Sequence, residues 1–440
     1  MVNLGEKEVT MKEKIVVRNF SVIDNIEIDV KKINILIGPQ AAGKSVLAKL
    51  VYFFKTISSE MSVSIILAEG KRKLDHRLKQ SFALMFPEYI IRRKDFEVTY
   101  YYGHNFITIT NEKAKSYKSF KISYSNDILK KFKSLKADYK RQTQTEKLPK
   151  PDFIKSFNQS ISRDLEQFFH GMDRYYPIFI LAVRSFFANI ERNIFSFLKE
   201  SIPIEYMLKI FGSFFQDIRE RYYLISLQKA FNKDIYRMCN EILGGEYYYD
   251  RIKEGLITEQ NEFIYLRDSS SAQQEVAPLL VSLIVLSNFA EEHFQMFIEE
   301  PEAHLFPEAQ RKVVEVIAAI YNLFKRESGF FITTHSPYIL TSFNNLIQAE
   351  NTRSEVMERF EKGEIDARTK DERLKALNKL VNPNRWVSFD DVAAYLVKDG
   401  KCKNLKDNEN KFIRDYAIDE VSDITASIFD KLLDISLGDK

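Results

Sequence analysis

Between Ile15 and Gly38 the apolar residues come in short runs, IVVRNF, VIDNIEIDV and INILIG, which predict three β-strands. The last is a near-continuous apolar run closed by glycine, the pattern of a strand buried on both faces of a parallel sheet. The period then changes. In KSVLAKLVYFFKTIS, apolar residues at Val46, Leu47, Leu50, Val51, Phe53 and Phe54 predict a helix. A second helical stretch is expected from about Met61 to Phe86. FEVTYYYG, NFITITN and FKISYS follow as strands of a meander around Gly103 and His104.

In DILKKFKSLKADYKRQ, Ile128, Phe132, Leu135 and Tyr139 stand at helical spacing with lysines on the other face. Pro149 and Pro151 break that helix and mark a linker or turn. Residues 156–243 are aromatic-rich and helical in period, without the sustained heptads of a coiled-coil arm. Gly244 and Gly245 close this block. Short strands then lead to FIYLRDSSSAQQE and an apolar helix, VAPLLVSLIVLSNFA. MFIEE and GFFITTHS read as two further buried strands, separated by a helix over 308–325. The last 90 or so residues predict a charged helical stretch (351–380), a strand pair around Asp399 and Gly400, and a final helix over about 419–433.

Composition narrows the class. With 45% apolar and 29% charged residues in 440, the chain can bury a sizeable core. Glycine (14) and proline (11) are too scarce for collagen-like or low-complexity sequence. Cys239 and Cys402 make neither a disulfide framework nor a Cys-rich zinc site, which points to a reducing cytoplasm. The amino terminus has no apolar signal core. The longest apolar stretch, Val276 to Ala290, contains Pro278, Ser282 and Ser287 and falls short of the roughly 20 residues of a membrane span. A soluble intracellular protein is expected, with no membrane partner. The net charge of +3 is uninformative about nucleic acid, but between Glu112 and Lys155 there are 13 Lys/Arg against 5 Asp/Glu. That stretch either contacts nucleic-acid phosphates or is a solvated helix face.

The chemistry is concentrated in four short segments. Gly38, Pro39, Gln40, Ala41, Ala42, Gly43, Lys44 and Ser45 spell GxxxxGKS directly after a buried strand and directly before a helix. Glycines let such a loop curl round a phosphate, its N–H groups point inward, and the helix N-terminus adds partial positive charge. Lys44 is placed to reach β- and γ-phosphates, Ser45 to offer its hydroxyl to Mg2+, and Val46 to close the loop. In FIEEPE, Glu299 and Glu300 end an apolar strand. Successive strand residues project to opposite sides, so one carboxylate can serve the hydrated Mg2+ (Glu299) and the other the attacking water (Glu300). A solvated strand end would look the same without the phosphate loop. FFITTHSP ends a second buried strand in His335, where ligands bind in open α/β sheets. Ser269 to Gln273 precede a long apolar helix, as either an anion site or an ordinary N-cap.

Together, in this order, the segments resemble an ABC-type ATPase head of the RecF/SMC-like and OLD (overcoming lysogenization defect) kind, within the AAA family. NILIGPQAAGKS resembles Walker A, SSSAQQE the signature, FIEEPEAHL Walker B with the D-loop, and FITTHSP the switch histidine. The resemblance covers roughly residues 12–125 and 246–350. It implies an α/β fold: a parallel core sheet with an antiparallel β lobe (1–125 and 246–350), a helical insertion (126–245) and a small α+β C-terminal region (351–440) suited to partner binding. It implies ATP and Mg2+ as cofactors, with Lys44, Glu300 and His335 catalytic. It also implies a homo-oligomer of heads meeting head-to-tail, in which Ser270, Ser271, Ala272 and Gln273 contact the γ-phosphate held by the other subunit.

This sequence departs from the pattern at Ala272, where glycine is usual, at Glu299, where aspartate is usual, and at Phe306, in place of a second histidine. Gln80 is a candidate Q-loop residue. Arg184, in PIFILAVRSFF, stands where relatives carry an arginine after a buried strand, as nucleotide contact or as packing. His304 is open between a subunit contact and a structural role. No VEG-like glutamate with a following DxD, the mark of a Toprim nuclease, comes after His335. The chain therefore resembles the ATPase half of a two-part system, as in Septu and PARIS antiphage systems and some retron effectors, with a separately encoded nuclease or toxin as partner. A DNA-maintenance ATPase and a nucleotide-gated scaffold with negligible turnover are the competing readings.

Overall fold

A computed structural model describes residues 13–91, 95–111, 120–145, 160–161, 164–165, 168–169, 176–188, 205–289, 294–325, 328–414 and 427–428. The expected linker around Pro149 and Pro151 and nearly all of the expected final helix lie outside them.

Among the described residues, one 11-stranded sheet organises the chain. The three amino-terminal runs form β1 (Glu13–Phe20), β2 (Ile23–Val30) and β3 (Ile33–Ile37). The meander forms β4 (Glu97–Tyr102), β5 (Asn105–Asn111) and β6 (Phe120–Tyr124). β6, β5, β4, β1 and β2 pair antiparallel in that spatial order. The other half is a parallel core of β3, β7 (Tyr176–Ile180), β11 (Phe294–Glu299), β12 (Gly329–Thr334) and β13 (Val392–Lys398). In between, β8 (Glu246–Tyr249), β9 (Glu254–Ile257) and β10 (Phe263–Tyr265) make a separate antiparallel sheet. The fold is thus α/β, with a parallel core and an antiparallel lobe.

Three features differ from the expectation. The helical stretch over 61–86 is two helices, α1 (Lys44–Ile66) and α2 (Lys71–Met85), separated at Ala68, whose φ of 51° cannot continue a helix. Arg77 of α2 donates to Glu60 Oε2 at 2.9 Å and to Ser64 Oγ at 2.6 Å, which fixes the corner. The stretch 126–245 holds α3 (Asn126–Thr145), α4 (Tyr206–Gln228) and α5 (Lys233–Leu243), but it also supplies β7, the edge strand beside β11. Finally, β13 and its antiparallel partner β14 (Lys401–Asn404) do not stand apart in a C-terminal unit. They lie inside the sheet, with β13 on β3 and β14 on β2, and so join its two halves. Gly400 O accepts from Asp24 N–H at 2.8 Å at that junction.

The parallel core carries a row of rings on its α1 face. Phe297 of β11 pairs in register with Phe179 of β7 and Phe331 of β12. Phe179 and Phe297 stack at 5.8 Å, Phe297 and Phe331 at 5.4 Å, and Tyr52 of α1 meets the first two edge-on. Each ring buries on the order of 150–250 Å². Because side chains alternate along a strand, Glu299, two residues after Phe297, projects to the same α1 face. In the lobe, Phe82, Phe86 and Phe96 pack edge-on around Phe20.

The apolar stretch after the serines is α6 (Ser271–Leu286), buried among α4, α5 and α7 (Pro307–Leu323). Among the described residues no helix is long and apolar enough to cross a membrane. After β12 come α8 (Pro337–Glu361) and α9 (Ala367–Leu380); α9 has no buried residue.

Candidate functional site

The loop Gly38–Gly43 leaves the fully buried β3 and enters α1 at Lys44. Gly43 caps the helix with φ 101°, and a Cβ there would press on Val22 and Ile23 at 3.1 Å. Gly38 has φ 154°, and a Cβ there would overlap the carbonyl oxygen of Val397 on β13. Only glycine fits either place. Pro39, Gln40 and Ala41 are exposed, Ala42 is buried, and Ala41 is left-handed at φ 59°. Ser45 is exposed and Val46 half-buried in the first turn of α1, whose leading N–H groups face the loop.

Lys44 turns back over this loop. Its Nζ donates to Gly38 O and Pro39 O, both at 2.8 Å, and lies 3.3 Å from Nδ1 and 3.2 Å from Nε2 of His335. Burial lowers its pKa to about 8, against the opposing pull of Glu300 and Glu302. His335 Nε2 is 3.2 Å from Glu300 Oε1. Nε2 is equally near the carboxylate and the Lys44 ammonium. Three residues far apart in sequence thus form one chain: ammonium, imidazole, carboxylate.

Glu302 supports this chain from behind. Its Oε1 accepts from His335 N–H and from Thr334 Oγ1, each at 2.7 Å. Glu300 has φ 45°, an unusual value for a side-chain-bearing residue, and its N–H donates to Thr333 O at 2.8 Å.

Glu299 faces α1. Its carboxyl is 6% exposed and its pKa is raised by burial, against the stabilising influence of Lys49, the Ser45 hydroxyl and the Ala182 amide. Its Oε1 is buried without a hydrogen-bond partner, as is Oγ1 of Thr333, which is in register with Glu299 on β12. A buried acceptor left unmatched is costly, and a divalent cation with its water shell would satisfy it. The donor set, a serine hydroxyl and a carboxylate oxygen, suits Mg2+ chemically.

The remaining candidates lie elsewhere. Ser270 caps α6, with Oγ accepting from Gln273 N–H at 3.3 Å, and the Gln273 side chain returns to Ser270 N–H. Ser271 is exposed, and Ala272 is partly exposed. Among the described residues no hydrogen bond joins Ser270, Ser271, Ala272 or Gln273 to the loop of the same chain. Gln80 is exposed on α2, and no hydrogen bond among the described residues takes it to the loop. His304 is exposed, in a left-handed turn at φ 61°. Arg184 is fully buried with its guanidinium on backbone carbonyls, which resolves its alternatives toward an internal role. Glu302, Thr333 and Glu275 escaped the sequence reading. Glu302 sits in PEAHL, where its spacing from His335 in the chain gives no sign of contact. Glu275 looks like an ordinary acid near the start of an apolar helix.

Residues 11–340 match the family model described as an AAA ATPase domain. Among solved structures the chain is similar to a SmcHead bound to the C-winged helix domain of ScpA, at 12% identity and TM-score 0.40, over 91% of this chain and 98% of that one. It is similar to the SMC head domain from Thermotoga maritima at 10% identity and TM-score 0.33, over 76% and 92%. A third is the Smc head domain with an extended coiled coil bound to the C-terminal domain of ScpA, derived from Pyrococcus furiosus, at 12% and 0.35, over 94% and 99%. No curated protein matches the chain. With three quarters of its length inside that family model, the chain belongs to the AAA ATPase domain family.

Proposed function

We propose that this protein binds ATP with Mg2+ on the Gly38–Val46 loop, hydrolyses it slowly, and acts as the sensor or regulatory subunit of an antiphage defence system. It controls a separately encoded nuclease or toxin through ATP-dependent assembly. The observation that carries the enzymatic part is the Lys44–His335–Glu300 chain at the carboxyl ends of the parallel strands, with Ser45 and Glu299 beside it. The regulatory part rests on the resemblance to the ATPase halves of two-part systems.

The residues act as follows. Lys44 exchanges the carbonyls of Gly38 and Pro39 for β- and γ-phosphate oxygens. Glu300 accepts a hydrogen bond from the attacking water and aligns it with the γ-phosphorus. A P–O bond to water forms, the bond to the bridging oxygen breaks, and ADP and phosphate result. His335 lies against Glu300 on its Nε2 side and stands close enough to Lys44 to reach the same phosphate. Ser45 and Glu299 are the groups that would hold Mg2+, which when bound supplies positive charge to the phosphate oxygens. The exposed Ser270 and Ser271 serve the phosphate of a second subunit, head-to-tail.

A second reading is a RecF/SMC-like DNA-maintenance ATPase. It is favoured by α3, where Lys130, Lys133 and Lys140 are exposed while Ile128, Phe132 and Leu135 are buried. Expression with the native neighbouring genes, purification with ATP and Mg2+, and measurement of the complex mass separate the two. A stable neighbour-encoded nuclease or toxin, lost in Lys44→Ala, supports the defence reading. A bare dimer that retains duplex DNA at low salt overturns it in favour of the second.

A further inference from the structure

Arg184 follows β7 and is wholly buried, and among the described residues no hydrogen bond joins it to the loop Gly38–Gly43. Its hydrogen bonds run in two directions. Nε donates to Glu275 O at 2.7 Å, and its own N–H donates to Glu275 Oε1 at 3.0 Å. Glu275 Oε2 accepts from Ser185 N–H at 2.9 Å, so both carboxylate oxygens are engaged by this turn. On the other side, Nη1 donates to Glu299 O at 2.7 Å and to Leu181 O at 3.0 Å, and Nη2 donates to Glu300 O at 3.0 Å. One guanidinium therefore holds α6 at Glu275, one turn after its start at Ser271, and the carbonyls of both strand-end glutamates.

Burying a guanidinium is costly, and here the compensation comes from one carboxylate and four carbonyls in a fixed fork. Packing alone would be met more cheaply by an aliphatic side chain. The placement matters because Glu300 adopts φ 45°. Its N–H is held by Thr333 O and its carbonyl by Arg184 and by Ala303 N–H at 3.0 Å. Removing the guanidinium frees one side of a strained backbone whose side chain is the water-positioning carboxylate. Such backbone strain persists only where the surroundings over-determine it.

We propose that Arg184 is a positioning residue: it fixes the backbone of Glu300 and, through Glu275, joins it rigidly to the helix that presents Ser270 and Ser271. A partner subunit closing on those serines thereby acts on the water-positioning carboxylate of the same chain. This rests on the ATPase reading above.

The test uses the full-length protein, with Arg184→Lys, Glu275→Gln, Glu300→Gln and the double variant Arg184→Lys/Glu300→Gln. A fluorescent ATP analogue reports affinity, single-turnover phosphate release with Mg2+ reports chemistry, and thermal melting reports folding. Lysine keeps the charge but cannot reach both directions of the fork. The expected result is that Arg184→Lys binds nucleotide within about twofold of wild type and releases phosphate at least about tenfold more slowly. In the Glu300→Gln background the same change should cost little more, because its effect passes through Glu300. Glu275→Gln should give a smaller loss of the same kind. Wild-type phosphate release by folded Arg184→Lys overturns the positioning role, and so does full additivity with Glu300→Gln. Absence of phosphate release from the wild type overturns the ATPase reading as well, so the two failures are distinct.

Discussion

Gly38 and Val397, from opposite ends of the chain, meet in van der Waals contact: a Cβ on Gly38 would overlap the Val397 carbonyl oxygen. The first residue of the phosphate loop is thereby fixed by β13, beyond the residues of the family match. Gly38→Ala must push β13 away from β3 or distort the loop. We expect a loss of about 1–3 kcal/mol in stability, as for overpacking generally, together with weaker ATP binding. Thermal melting and nucleotide titration check it; unchanged values for both would show that the strand yields freely.

If Lys44 contacts the phosphates as proposed, nucleotide binding should depend on pH. Burial lowers its pKa to about 8, and anionic phosphate beside it raises the pKa again. Above that value free Lys44 is increasingly neutral, so binding must take up a proton, and affinity should fall by up to about tenfold per pH unit. Below it Lys44 is already charged and the dependence vanishes. Calorimetry at pH 9 in buffers of different ionisation enthalpy should show nearly one proton taken up per ATP. No uptake would contradict the burial argument.

The separation of Ser271 from its own loop predicts complementation between subunits. Lys44→Ala and Ser271→Arg should each be inactive alone. Mixed, half of randomly paired dimers carry one intact composite site, so about one quarter of wild-type ATP hydrolysis should return. No recovery after verified subunit exchange would place the serines outside the reaction.

Glu299 should govern the metal rather than the water. Glu299→Gln is expected to raise the Mn2+ concentration for half-saturation, read by spin resonance of the free ion, by at least about tenfold, with ATP binding in chelator little changed. Burial already opposes charge on this carboxyl, so the variant should fold at least as well as the parent. An unchanged Mn2+ titration would remove Glu299 from the metal site.

The loop between β3 and α1 was legible in the sequence because its pattern is local: one strand, two glycines, one lysine and one helix start at fixed spacing. The strand ends at Glu299 and His335 were legible because apolar runs stop there. What escaped depends on distant partners. β7 is five residues long inside a stretch read as helical; the resemblance implied a buried strand before Arg184, but not its place at the sheet edge beside β11. The hairpin around Gly400 was visible as a hairpin, but its insertion between β2 and β3 was not. Arg184 could be read as a nucleotide contact until the carbonyls of Glu299 and Glu300 were placed around it. Glu275 carries no sequence mark that separates it from an ordinary helix acid.

On the proposed reading Glu300, with His335 and Lys44 beside it, positions the water that cleaves ATP. Rapid-quench measurement of phosphate formation from ATP and Mg2+, for wild type and Glu300→Gln at equal nucleotide occupancy, tests it most directly. Glu300→Gln should bind ATP unchanged and form phosphate about 10²-fold or more slowly, with an ATP-bound assembly persisting. Phosphate formation by Glu300→Gln at the wild-type rate would contradict it.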